Sequence, residues 1–112
     1  MKMKETLVKD WTRMRGDTWA FRMAVNDETL TISEIHFSCK KRKTDLNYVF
    51  HKTITNGGVT LDNDGKYTLK ASPSDMDIAA GKYFYDVQVD IGNDVFTPLT
   101  GMVTVVEDVT DE

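Results

Sequence analysis

An all-β sandwich of seven or eight mainly antiparallel strands is the fold this chain predicts, and three observations predict it. Tyr83, Tyr85, Val87, Val89 and Ile91 alternate with Phe84, Asp86, Gln88 and Asp90, a period of two that gives a strand one dry face and one mostly wet face. Gly92-Asn93-Asp94 then turns the chain into a second β-rich run from Val95, so the chain closes on a long hairpin whose apolar face needs another sheet to cover it. Upstream, strand candidates recur at intervals of about ten residues between turn signals.

The elements follow in order. A first strand is expected over 6–11 and a second over 18–25, where Trp19, Phe21, Met23 and Val25 alternate with Thr18, Ala20, Arg22 and Ala24 before Asn26-Asp27-Glu28 breaks the run. The third covers 34–40, with Ile35, Phe37 and Cys39 on one face and His36 and Ser38 on the other. The fourth covers 48–54, with Tyr48, Phe50 and Ile54 on one side, and Asn56-Gly57-Gly58 ends it because those residues accept positive φ cheaply. A short run at 59–61, the turn Asp62-Asn63-Asp64-Gly65 and a strand over 66–71 come next. One short helical turn is expected near 73–78: Ser72 can cap it, Pro73 suits its first position, and Asp75 stands three residues after the cap. Strands at 83–91 and 95–106 complete the set. Pro98 and Gly101 are poor ladder residues and predict an edge or a bulge. The core is expected to hold Trp19, Phe21, Met23, Ile35, Phe37, Phe50, Leu69, Tyr83, Tyr85, Val87, Val89 and Val105, each worth about 1.5–3 kcal/mol when fully buried.

With 112 residues, 40% hydrophobic and 29% charged, the chain reads as a single domain over 1–112, with 1–5 and 107–112 as flexible tails. A net charge of -4 argues against nucleic acid and anionic membranes as partners. Cys39 is the one cysteine, so no internal disulfide is expected. No apolar run approaches the roughly 20 residues of a bilayer span, and no apolar signal core follows the basic start. A soluble, cytosol-made protein is the expectation.

Few residues suggest chemistry. Arg15-Gly16-Asp17 spells an integrin-binding tripeptide but reads as the turn feeding the second strand. Asp62-Asn63-Asp64-Gly65 hints at a calcium loop, yet Thr60 and Ala71 stand where such a loop needs carboxylates, so a hairpin turn is the reading. Lys40-Lys41-Arg42-Lys43 could grip phosphates, but it sits at the end of a strand as a solvated turn, no aromatics interleave it, and lysines also guard strand edges against mispairing. His36 and His51 fall on outer faces and could meet if their strands are neighbours. Without a third ligand they read as cross-strand filler. Cys39 falls on the apolar face as an inert thiol, and Asp86 and Asp90 read as a solvated face. No catalytic, cofactor-binding or metal residue is therefore assigned, no binding residue is singled out, no cofactor is expected, and the chain reads as a non-enzyme.

Ala79-Ala80-Gly81-Lys82-Tyr83-Phe84-Tyr85 is similar to the entry of strand F in immunoglobulin-like domains. The likeness puts Tyr83 at the tyrosine-corner place and Tyr85 where antibody domains carry a cysteine. Nearly the whole chain resembles a family of bacteriophage virion domains that includes the N-terminal domain of upper baseplate proteins. Arg15-Gly16-Asp17-Thr18-Trp19-Ala20-Phe21 matches its opening and Ile35-His36-Phe37-Ser38-Cys39-Lys40-Lys41 its middle strand. Its close is matched by 80–89, Leu99-Thr100-Gly101 and 105–110. The resemblance implies a virion structural protein of tail, baseplate or neck that docks onto other virion proteins and onto itself. Five basic residues in the first fifteen and four acids in the last six suggest a head-to-tail ring. The alternative is a carbohydrate- or receptor-binding sandwich module, with Trp11 and Phe84 as its exposed aromatics.

Overall fold

The computed structural model describes residues 5–25 and 31–109. All of its regular structure is β, arranged as two sheets. The strands are β1 (Leu7–Val8), β2 (Trp11–Met14), β3 (Trp19–Met23), β4 (Ile32–Lys40), β5 (Phe50–Thr53), β6 (Val59–Leu61), β7 (Tyr67–Ala71), β8 (Gly81–Ile91) and β9 (Asp94–Val106). The larger sheet runs β1-β9-β8-β4-β5, with β2 also on β9, and the smaller runs β3-β7-β6. This is an immunoglobulin-like sandwich. The expected first strand is split into β1 and β2, which raises the number of described strands to nine, and both pieces pair with β9 in parallel.

The split has a local cause. At Lys9-Asp10 the chain jogs: the Lys9 amide donates to the Thr100 carbonyl and Asp10 Oδ1 accepts the Met102 amide at 2.9 Å. Gly101 lies directly beneath, where a Cβ would sit 2.1 Å from the Lys9 carbonyl oxygen, so the position has room only for hydrogen. Pro98 marks the bulge that the sequence allowed as one option. The β8–β9 register slips by one residue between Val87 and Val89, and β9 itself is an interior strand. The hairpin turns at Gly92, whose φ of 58° is followed by an Asn93 without positive φ, the II′ arrangement that matches strand twist.

The core follows the alternation. Trp19, Ile35, Phe37, Leu69, Val87, Val89 and Val105 are buried almost completely, and Met23, Phe50, Tyr83 and Tyr85 nearly so. Phe21 is only partly buried, packed against the core and stacked on Trp11 at 5.3 Å. Trp11 is likewise partly buried, 5.6 Å from Trp19, which removes it as an exposed platform. Where antibody domains bridge their sheets with a disulfide, Trp19 meets Tyr85 edge to face at 5.1 Å. The Tyr85 hydroxyl donates to the Lys9 carbonyl and accepts from Trp11 Nε1 at 2.9 Å, fastening the N-terminal strand over the core. Tyr83 makes the expected corner, donating to the Ala79 carbonyl at 2.7 Å.

The segment after β7 forms a single hydrogen-bonded turn rather than a helix: Met76 N–H reaches the Ser72 carbonyl. Ser72 and Asp75 cap it reciprocally, Lys52 pairs with Asp75 at 2.7 Å, and Met76 is fully buried. Tyr48 departs from the expected face. It precedes β5, stays exposed and stacks on His51 at 4.6 Å. The break at 26–28 and most of the two expected tails lie outside the described residues.

Candidate functional site

The outer face of the larger sheet is built by the wet half of the alternation. Across four strands, register aligns His51, Ser38, Asp86 and Thr100 in one row, and Lys40, Phe84 and Met102 in the next. Ser38 and Thr100 are short and their neighbours are tall, so the row sinks into a groove of about 480 Å³. His36, Lys43, Tyr48 and Gln88 complete its walls.

Its electrostatics are organised. His36 Nε2 lies 2.9 Å from Asp90 Oδ2, and its Nδ1 lies 2.9 Å from His51 Nε2, an Asp90–His36–His51 relay capped by the Tyr48 ring. Burial, then the neighbouring His36, lowers the His51 pKa below its ordinary value. Burial raises the Asp86 carboxyl above the usual range, against the pull of Lys40, His36 and His51. The strand face read as uniformly solvated thus holds two carboxylates in different settings. Asp90 is hydrogen-bonded to His36, while no hydrogen bond among the described residues reaches Asp86, the Gln88 amide or the Ser38 hydroxyl.

The basic run acquires the aromatics its own sequence lacks. Lys40 Nζ sits 4.9 Å from the Tyr48 ring, Lys41 Nζ 4.5 Å from Tyr83 and Lys43 Nζ 5.2 Å from Phe84. These rings come from a loop and from β8, so only the fold brings them to the lysines. Arg42 pairs instead with Asp45.

The other sequence candidates resolve into structure. Arg15-Gly16-Asp17 is a turn, with Gly16 at φ 80° and its amide on the Met76 carbonyl. Arg15 pairs with Asp77 and Glu107, so its charge is met within the chain, beside the C-terminal acids. Asp62 and Asp64 hold Arg22 at 3.1 and 2.6 Å, and both terminate the β6–β7 hairpin. Cys39 is buried, its thiol pushed up to about 12 by burial. Among the described residues, no group of three or more His, Cys, Asp or Glu is placed to hold a metal.

No family model and no curated protein matches the sequence. Among solved structures, the chain is similar to one from Bacteroides vulgatus ATCC 8482 titled a "putative glycoside hydrolase", with a TM-score of 0.53 and 16% identity. The match covers 91% of this chain and 17% of that one. The likeness is one of fold: this chain corresponds to a small β-sandwich portion of a much longer protein.

Proposed function

We propose that this chain is a non-enzymatic bacteriophage structural protein of tail, baseplate or neck, acting by protein–protein docking during particle assembly. The observation that carries the reading is the edge strand β1. Among the described residues it lies outermost on the larger sheet, and its two residues are apolar yet 53% (Leu7) and 68% (Val8) exposed. Exposed apolar residues on an open strand edge are a docking surface. The likeness of 15–21, 35–41, 80–89, 99–101 and 105–110 to virion domains supports the same reading. The proposed partners are other virion proteins and further copies in a homo-oligomeric ring, in a virion assembled in the bacterial host cytoplasm. Purification of tailed particles from a culture carrying the gene, followed by peptide mass spectrometry, tests it. The protein is expected in the particle band at constant stoichiometry, and the Leu7→Asp/Val8→Asp variant is expected to fold yet drop out of that band. Wild-type protein confined to the soluble host fraction would refute the reading.

A further inference from the structure

We propose that the outer-face groove binds an acidic saccharide, with Lys40 and Lys43 taking its negative group and Asp86, Gln88 and Ser38 taking its hydroxyls. The inference goes beyond the docking role and stands independently of it. Four observations carry it.

The first is size: about 480 Å³, open on one side, lies within the range of roughly 300–1,000 Å³ typical of small-ligand sites. The second is the pair of cations. Lys40 and Lys43 line the groove, and their ammonium groups are held against the rings of Tyr48 and Phe84 at 4.9 and 5.2 Å. Among the described residues neither ammonium is in salt-bridge contact with a carboxylate, and each carries three N–H donors. The third is the set of hydrogen-bonding groups with no partner among the described residues: the Asp86 carboxylate, the Gln88 amide and the Ser38 hydroxyl, with Ser38 only 9% exposed. A partly desolvated carboxylate without donors is satisfied best by neutral hydroxyls. The fourth is backbone pairing. β4, β8 and β9 are each paired on both sides, so the groove floor offers side chains, and the edge strand β5 only borders it through His51. An extended peptide would find no backbone partners there. A polyanion such as nucleic acid would meet Asp86 and Asp90 in a chain of net charge -4. A short saccharide with one carboxylate per ring among several hydroxyls matches a lining of two lysines and several neutral or accepting groups.

The test is an amide-resolved NMR titration, with calorimetry, of the intact protein against digalacturonate, neutral galactobiose and inorganic phosphate. Digalacturonate is expected to give saturable shifts centred on Ser38, Lys40, Asp86 and Gln88, with galactobiose and phosphate each about tenfold weaker or more. The Lys40→Gln/Lys43→Gln variant is expected to lose about tenfold for digalacturonate, with its remaining spectrum unchanged. Asp86→Asn separates saccharide recognition from simple anion attraction. Exchanging the charged acceptor for a neutral amide weakens its bonds to saccharide hydroxyls, whereas loss of a negative charge tightens a bare anion. The proposal predicts weakening. It is overturned by no saturable response up to about 10 mM, by phosphate or galactobiose binding as tightly as digalacturonate, by shifts centred elsewhere, or by tighter binding in Asp86→Asn.

Discussion

Replacing Tyr85 by Phe tests how the N-terminal strand is held. The substitution keeps the ring that meets Trp19 at 5.1 Å and deletes one oxygen. That oxygen donates to the Lys9 carbonyl and accepts from Trp11 Nε1, so two partners lose their bond together. Each net hydrogen bond is worth about 0.5–1.5 kcal/mol, and a buried group left unpaired costs about 1–3 kcal/mol. Trp11 is partly buried and Lys9 is exposed, so water can replace the lost donor at Lys9 more readily than the lost acceptor at Trp11. The expected destabilisation is about 2 kcal/mol, a fall in Tm on the order of 8–12 °C for a domain of this size. Tyr83→Phe deletes a single bond, to Ala79, and should cost about 1 kcal/mol. Urea denaturation of both variants, followed by circular dichroism, measures the difference. Hydrogen exchange should locate the Tyr85→Phe effect in 7–14. A Tyr85→Phe loss no larger than that of Tyr83→Phe, or exchange spread evenly over the sandwich, would refute the reasoning.

The other expectations concern packing and pH. Gly101→Ala places a methyl 2.1 Å from the Lys9 carbonyl oxygen and should cost about 1–3 kcal/mol in a denaturation curve, with the jog between β1 and β2 displaced. The Asp75 carboxyl is held below its ordinary value: burial opposes ionisation, but Lys52 and the Ser72 amide and hydroxyl outweigh it. A depressed folded pKa gives stability that is present above 3.8 and lost as pH falls through the folded value. Asp75→Asn should flatten that part of the stability–pH curve in acid titrations followed by fluorescence. Asp86 has the opposite sign, because burial makes its ionised form costly. Asp86→Asn should therefore stabilise the protein at pH 7, and the gain should vanish as pH falls through the raised pKa. His51 has its pKa lowered, so acidification through 6.5 should destabilise the fold, and His51→Gln should remove that loss.

Much of the sandwich was legible because burial and period two coincide. On β8 every odd residue from Tyr83 to Ile91 points inward, and the alternation needs no tertiary information. The corner at Tyr83 was expected from the likeness of 79–85 to the entry of strand F in immunoglobulin-like domains, and its acceptor lies four residues away. What was illegible came from long-range geometry. The break at Lys9-Asp10 depends on Gly101 and Met102, some ninety residues downstream. Tyr48 fell on the wrong face because β5 begins only at Phe50, so the alternation does not extend back to it. Met76, Val59, Leu99 and Val103 were absent from the expected core although all are buried. Met76 sits in a turn without periodicity, and Val59 in a strand of three residues. The groove was half legible. His36 and His51 were placed outward, but the rings that hold Lys40 and Lys43 come from Tyr48 and Phe84, which sequence spacing does not bring to them.

The parallel pairing of β1 and β2 with β9 has a mechanical consequence. Thr6 bonds Thr97 in the first part of β9, and Arg15 bonds Val106 where that strand finishes. Tension between Glu5 and Glu107 therefore slides the two neighbours past each other along their length. The bonds from Lys9 to Thr100 and from Arg15 to Val106, and the ladder between them, resist together instead of opening in turn. A sandwich strung this way should yield to a pull only at high force, and then abruptly.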